Sequence, residues 1–161
     1  MARIKHIAIA SRDPAGTAEF YKKHFDLKEL YRQPRDTGDD GVWLSDGYIY
    51  FAILKHGPDT PKLGPDQASD FCGIHHIGFM VDDLGAKVAE LEAADVRHVQ
   101  DNPDSKASRR TSMIRNAVNE KYIGPDWVHI DVREKGWNEI IGAHTQLYEL
   151  KPVATERQAE P

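Results

Sequence analysis

The side chains in this sequence best suited to chemistry are two histidines and an aspartate that could hold a metal ion. His6 and His76 each begin a similar apolar segment, His-Ile-Ala-Ile-Ala and His-Ile-Gly-Phe-Met, at an offset of 70 residues (76 − 6). His129 and Asp131 lie two residues apart in a later apolar segment, and alternate residues of a strand share a face. A carboxylate on an inward face is costly unless it is paired, protonated or bound to metal. Two imidazoles and one carboxylate suit a divalent transition metal, including the facial arrangement of non-haem iron, so we predict a metal site at His6, His76 and Asp131.

Two neighbouring histidines need separate interpretations. His129 could be a further ligand, a hydrogen-bonding partner that orients Asp131, or a general base near the metal. His75 precedes His76 and must point to the opposite side of a strand, so we interpret it as structural. A single histidine on a strand is more often a hydrogen-bonded residue than a ligand, and the matched pair His6 and His76 is what favours a site.

The repeat also predicts the elements that position these residues. Asp13 and Asp83 share the 70-residue offset and follow the apolar segments, where an aspartate can accept hydrogen bonds from the first backbone N–H groups of a helix. Pro14 suits the first turn of such a helix. Apolar residues then recur three or four positions apart, the period of a helix packed on one face. They are Ala18, Tyr21 and Phe25 in the first copy and Val88, Leu91 and Ala94 in the second.

Three short segments after each predicted helix contain the β-branched, aromatic and leucine residues typical of strands. Asp46-Gly47 is a strong hairpin signal, because glycine tolerates positive φ, and Gly124-Pro125-Asp126 marks a second turn. The segments are 28–35, 41–45 and 48–55 in the first copy, and 96–100, 121–123 and 127–133 in the second. The sequence therefore predicts an α+β fold in which two paired βαβββ modules form a cupped mixed sheet.

The chain divides accordingly into four parts. The first module covers residues 1–55, a linker rich in proline, glycine and aspartate covers 56–72, and the second module covers 73–134. The remaining residues, 135–161, form a C-terminal extension. We expect a short docked helix within Trp137 to Leu150 and a frayed polar end.

Composition and charge argue against nucleic acid and membranes as partners of the chain. A formal net charge of −5 and a pI near 5.9 give no basic footprint for nucleic acid. No apolar run reaches the roughly 18 residues of a spanning helix, and the N-terminus lacks a signal-type apolar stretch, so we expect a cytoplasmic protein that binds no membrane. The lone Cys72 cannot form an internal disulfide. We expect a homodimer that binds a small-molecule substrate.

Several motifs together resemble the vicinal oxygen chelate superfamily, which includes glyoxalase I, methylmalonyl-CoA epimerase, extradiol dioxygenases, and the fosfomycin and bleomycin resistance proteins. The resemblance covers most of residues 3–134 and implies paired βαβββ modules. In the enzymes it also implies a metal that chelates neighbouring oxygen atoms of a substrate. The motifs are Ile4-Lys5-His6-Ile7-Ala8-Ile9, Asp13-Pro14, Glu19-Phe20-Tyr21, the run from His76 to Leu84, and Gly124-Pro125-Asp126 through Asp131.

The resemblance carries the metal ligands onto His6, His76 and Asp131, where glutamate is more usual at the last position. A fourth ligand of glyoxalase I and the epimerases, a glutamate or glutamine, falls on Ala52, whose side chain cannot bind metal. Tyr48 and Tyr50 share the predicted face of Ala52, so one of these phenols could stand there as a hydrogen-bond donor or acid. The alternative is that both tyrosines simply pack.

Three functions are compatible with these residues. The first is a divalent-metal enzyme, with Fe, Mn, Co, Ni or Zn, that acts on a small vicinally oxygenated substrate. Its chemistry would be that of a glyoxalase-like or epimerase-like lyase or isomerase, proceeding through a metal-stabilised enolate, with His129, Tyr50 or Tyr48 moving the proton. The second is an iron-dependent extradiol-type dioxygenase, because three protein ligands leave open positions. The third is a non-catalytic small-molecule-binding protein of the bleomycin-resistance kind.

Overall fold

A computed structural model describes residues 1–33, 40–55, 71–99 and 120–144 of the chain. Within them, seven strands form one mixed sheet in the order β2-β3-β4-β1-β5-β7-β6. The elements are β1 (Arg3–Ala10), α1 (Pro14–Phe25), β2 (Lys28–Gln33), β3 (Gly41–Ser45), β4 (Tyr50–Leu54), β5 (Gly73–Met80), α2 (Leu84–Ala93), β6 (Glu120–Ile123), β7 (His129–Arg133) and α3 (Trp137–Ala143). The predicted α+β fold with a curled mixed sheet is confirmed.

The two halves of the sheet meet at its centre. Strand β1 pairs parallel with β4, and β5 pairs parallel with β7 in the same manner. Strands β1 and β5 run antiparallel to each other, with Ile7 opposite Ile77. Because these isoleucines are separated by the repeat offset of 70 residues, the central strand pair is nearly symmetric about them.

Both long helices start as the repeat predicts. The Asp13 side chain accepts a hydrogen bond from the Gly16 amide at 3.1 Å, and the Asp83 side chain accepts one from the Ala86 amide at 2.8 Å. These bonds satisfy backbone donors that a helix leaves unpaired in its first turn. Ala18 of helix α1 is buried in one cluster with Val42, Leu44 and Ile53 of the sheet. Leu84 and Leu91 of α2 pack against a second buried cluster, which consists of Val81, Tyr122 and Val132.

These clusters lie on the side of the sheet opposite His6, His76 and Asp131, because Ile53 and Val132 alternate with Ala52 and Asp131 along their strands. The side that carries the two histidines and the aspartate, which we call the site face, is packed by α3. Trp137 and Ile141 of this helix are buried against Tyr50 and Leu30. The helix falls within the range predicted for it, and residues 145–161 lie outside the described residues.

In the second half of the chain, two predicted strands differ from the structure by more than one residue. Within residues 96–99, the structure has one isolated bridge, between His98 and Tyr122, and no strand. The chain leaves α2 through a turn in which Asp95 has a φ of 53°. Strand β6, to which Tyr122 belongs, has four residues. Gln100 and the segment 100–119 lie outside the described residues, as does linker segment 56–70. Strand β7 begins at His129 rather than at residue 127, since a 3-10 turn occupies 125–127.

None of the helices in the described residues is long and apolar enough to cross a membrane.

Candidate metal centre

The register of the sheet places His6, His76 and Asp131 on neighbouring positions of the site face. Side chains of directly opposed residues on adjacent strands lie on the same face. One row across five strands, from β4 to β6, reads Tyr50, His6, Gly78, Asp131 and Lys121. The next row reads Ala52, Ala8, His76, His129 and Ile123.

The three predicted ligands converge. His6 Nε2 and His76 Nε2 lie 2.9 Å apart, and His76 Nε2 lies 3.7 Å from Asp131 Oδ2. One donor atom from each residue falls within 4.8 Å of the others, and all three residues are buried. Two ligand atoms roughly 2.1 Å from one ion and at right angles to each other are about 3 Å apart, so this donor set fits a divalent cation.

Hydrogen bonds on the far side of each ring favour metal binding. His6 Nδ1 lies 2.6 Å from the Tyr50 carbonyl oxygen. A carbonyl only accepts, so Nδ1 must donate, and in the neutral ring Nε2 then carries the lone pair that faces the site. His76 Nδ1 lies 2.8 Å from His75 Nδ1, which can accept its proton in the same way. Fixing a ligand histidine through its second nitrogen is the usual arrangement at metal sites.

Burial keeps both imidazoles neutral. It lowers the pKa of His6 to about 4 and that of His76 well below 6.5, although the Asp131 carboxylate opposes both shifts. Burial would raise the pKa of Asp131, yet the Lys121 ammonium and the two histidines hold it below its usual value. Near pH 7 the group is therefore two neutral imidazoles and one carboxylate, the protonation states that bind metal.

Lys121 is a cation that touches this group from the neighbouring strand. Its ammonium contacts Asp131 Oδ1, while Oδ2 is the oxygen directed toward His76. The aspartate therefore has separate oxygens for the lysine and for the histidine side. Lys121 can therefore orient the carboxylate through its contact with Oδ1.

Ala52, onto which the resemblance carries a fourth ligand, is equivalent to Asp131 in the repeat. Register aligns Ala8 with Ala52 in the first half and Gly78 with Asp131 in the second. Since Ala8 and Gly78 are equivalent positions two residues after the matched histidines, Ala52 is the counterpart of Asp131. A symmetric site would carry two carboxylates, and this chain carries one.

The same alignment relates the two candidate proton-transfer residues. Tyr50 is opposite His6, and His129 is opposite His76. Tyr50 is buried with its ring 5.4 Å from the His6 ring, and burial raises the pKa of its phenol. Burial lowers the pKa of His129 to about 4, and Lys121 adds to the shift. Both groups lie on the site face in their neutral forms.

Tyr48 does not lie with them. The Asp46 side chain accepts hydrogen bonds from the amides of Tyr48 and Ile49, which extends the turn, and β4 begins only at Tyr50. Tyr48 is half exposed, with the Lys5 ammonium 3.2 Å from its ring centroid. The expectation that its phenol stands beside Ala52 is therefore wrong.

Trp137 fills the gap that glycine leaves in the first row. Its ring stacks on His6 at 5.2 Å between centroids. A Cβ built on Gly78 would lie 2.4 Å from the tryptophan ring and 2.6 Å from His6 Cβ. Glycine at this position is thus what allows the indole and the imidazole to lie together on the sheet.

Replacement of Gly78 by alanine should therefore destabilise the protein. We expect the free energy of unfolding to fall by about 1–3 kcal/mol, the usual cost of an added methyl in a packed interior. Urea denaturation measures the change. Gly142→Ala is the matched control, because among the described residues no atom outside the backbone of α3 lies within 4 Å of the added Cβ. Equal stability of the two variants would contradict the close packing at Gly78.

Four residues at this site were not assigned to it from sequence. Lys121 and Arg133 carried no motif, Trp137 was expected only to dock a helix, and His75 was interpreted as structural. The alternation that joins His129 to Asp131 extends to Arg133, and this signal could have found it. Nothing local to Lys121 indicates that it contacts Asp131.

Known proteins resemble this chain at several levels. The sequence profile of the Glyoxalase/Bleomycin resistance protein/Dioxygenase superfamily matches residues 3–122. The uncharacterized Escherichia coli protein YaeR is 32% identical over 100 residues, which are 60% of this chain and 74% of YaeR. Human mitochondrial methylmalonyl-CoA epimerase is 29% identical over 103 residues, which are 63% of this chain but only 58% of the epimerase.

A solved structure is also similar. A variant of Streptomyces coelicolor methylmalonyl-CoA epimerase in complex with 2-nitronate-propionyl-CoA superposes with a TM-score of 0.57 at 25% identity. The match covers 81% of this chain and 92% of that one.

Proposed function

The chain belongs to the Glyoxalase/Bleomycin resistance protein/Dioxygenase superfamily, and from this premise we propose that it is a divalent-metal-dependent enzyme of the epimerase-like kind. Its substrate would be a small molecule with two neighbouring oxygens, and its reaction a proton transfer at the carbon beside a carbonyl. The observation that carries the proposal is the convergence of His6, His76 and Asp131, with donor atoms within 4.8 Å of one another.

In this proposal His6, His76 and Asp131 hold the ion. A bound divalent metal acts as a Lewis acid that stabilises negative charge on a carbonyl oxygen of the substrate. The Tyr50 carbonyl and His75 hold the two imidazoles through their Nδ1 atoms. Lys121 holds the carboxylate.

The proton would be moved by groups already on the site face. His129 is neutral near pH 7 because burial lowers its pKa, so its ring can accept a proton from a substrate carbon. Tyr50 keeps its proton because burial raises its pKa, so it can donate a hydrogen bond to a developing oxyanion. Trp137 and Ile141 of α3 cover this part of the sheet, which limits the access of water.

The similarity to epimerases supports proton transfer as the reaction. The human relative is named for epimerisation of methylmalonyl-CoA, and the solved Streptomyces coelicolor epimerase holds a propionyl-CoA compound. An acyl thioester with a neighbouring carboxylate carries the two oxygens that the proposal requires. We therefore infer acid–base chemistry beside a thioester as the first reaction to assay.

Two measurements test the proposal. The protein, purified without chelator, should contain about one divalent metal per chain by mass spectrometry, or regain it from Mn, Fe, Co, Ni or Zn. The loaded protein should then exchange a substrate proton for deuterium from heavy water when given methylmalonyl-CoA, followed by proton NMR. Failure to bind any of the five ions would overturn the enzyme proposal. Metal binding without exchange would overturn the epimerase-like reaction.

Ala52 favours a second candidate, an extradiol-type dioxygenase with iron(II). Because the counterpart of Asp131 is alanine, the described residues offer three ligands and would leave coordination positions for a catechol and dioxygen. If the iron(II)-loaded protein consumes oxygen in the presence of catechol, the dioxygenase hypothesis is supported. If an oxygen electrode records no faster uptake than free iron(II) gives with catechol, the hypothesis is rejected.

A further inference from the structure

One buried cation on the site face has no role in the proposed proton transfer. Arg133 ends β7, two residues after Asp131, and it is buried, with 6% of the residue's surface exposed. Its Nε and Nη1 atoms are buried and make no hydrogen bond within the part of the chain that the structure describes. Buried donors without acceptors cost free energy, so a pair of them indicates where an acceptor is expected to arrive.

The guanidinium is held in place beside the candidate metal centre. Its Cζ atom lies 5.1 Å from the centroid of the Trp137 ring, the same ring that stacks on His6. Burial lowers the pKa of Arg133, whereas Asp131 and Tyr50 raise it, so both residues act on its charge. An arginine remains protonated under these conditions, and contact with the indole restrains its orientation.

The charges of the site face leave Arg133 uncompensated. Lys121 and Arg133 are cations of the site face, and Asp131 is a carboxylate of the same face. Lys121 already contacts Asp131, and both His6 and His76 are neutral. A divalent ion at the centre would add two further positive charges. An anionic ligand is the partner that restores balance.

We propose that Arg133 binds a carboxylate of the substrate, so that the chain acts on small carboxylic acids or their acyl derivatives. Nε and Nη1 are both charged donors, and a hydrogen bond from either of them to a carboxylate oxygen is stronger than one between neutral groups. Alternate residues of a strand lie about 6.6 Å apart, so a three- or four-carbon acid can reach from Arg133 to the donor group that includes Asp131. The assignment of this anion as the substrate rests on the proposed function, whereas the anion site itself does not.

Malonate, a three-carbon dicarboxylate, is the probe. Isothermal titration should show that malonate binds both the metal-free and the metal-loaded protein, and that neutral malonamide does not. In Arg133→Met we expect malonate affinity to fall about 10- to 100-fold, the usual effect of losing hydrogen bonds to a charged group. Arg133→Lys, which keeps the charge but not the planar guanidinium, should give an intermediate loss. Arg97→Met is the matched control, because it removes an arginine that lies over a different tryptophan, Trp127.

The outcomes separate the two proposals. Malonate binding that is equal in wild type and Arg133→Met, or absent from wild type in both metal states, would overturn the anion site. Loss that is equal in Arg97→Met would overturn it as well. If circular dichroism shows that Arg133→Met does not fold, the malonate affinity of Arg133→Lys tests the anion site instead. Metal content measured on the same samples tests the proposed function independently, since Arg133 is not among its ligands.

Discussion

Replacing His6 or His76 by alanine should lower the affinity for a divalent metal by at least about 100-fold, because loss of even an indirect supporting group costs 10- to 100-fold. The two variants should behave alike. Each removes one of the two Nε2 atoms that lie 2.9 Å apart, and the histidines hold equivalent positions on β1 and β5. Competition with a chromophoric chelator measures the affinity, and the catalysed deuterium exchange should disappear with it.

His24→Ala is the control for this pair. His24 is exposed near the end of α1 and contacts only the Phe20 ring among the aromatic contacts described. The His24→Ala variant should bind metal with the same affinity as the wild-type protein. Full one-to-one binding by His6→Ala, in a sample whose circular dichroism matches wild type, would refute the assignment. A loss confined to one of the two histidines would show that the repeat symmetry does not extend to the ligands.

Acid should destabilise the metal-free protein well above the pH at which carboxylates titrate. The pKa values of His6 and His129 are about 4 in the folded chain, whereas the ordinary pKa of a histidine, which we take for the unfolded chain, is 6.5. Below pH 6.5 the unfolded chain takes up protons that the folded chain does not, so unfolding becomes more favourable. A shift from 6.5 to about 4 corresponds to about 3 kcal/mol of unfolding free energy for each histidine.

The loss should therefore develop as pH falls from about 6.5 to 4 and then level off for these groups. Asp131 does not contribute within that window. Its pKa is lowered in the folded chain, so its stabilisation is present above 3.8 and is lost only at lower pH. Urea denaturation at a series of pH values measures the curve. His129→Asn should remove about 3 kcal/mol of the dependence, and a flat curve for wild type would contradict the buried neutral histidines.

Local sequence was sufficient for the elements that hold the ligands. The repeat offset predicted β1, β5, both helix caps and the matched positions of His6 and His76, because each depends on a few adjacent residues. Asp131 could be added because a strand has a fixed alternation. Register then brought three residues from distant segments together.

The contacts that sequence did not predict depend on register between strands. Lys121 meets Asp131 only because β6 pairs antiparallel with β7 at that position, and nothing in the local sequence fixes this register. Trp137 meets Gly78 because α3 folds back over the sheet, which no spacing indicates. Tyr48 was misplaced because a side-chain turn at Asp46 delays the strand. The homodimer and the cytoplasmic location stay predictions.

The antiparallel pairing of β1 with β5, centred on Ile7 and Ile77, has an evolutionary consequence. In a dimer of two identical half-length chains, any substitution would appear on both sides of the axis. Once the halves are joined in one gene, each side can mutate alone. Ala52 and its counterpart Asp131 are such a one-sided difference. A single chain can therefore keep the matched histidines while these two equivalent positions differ.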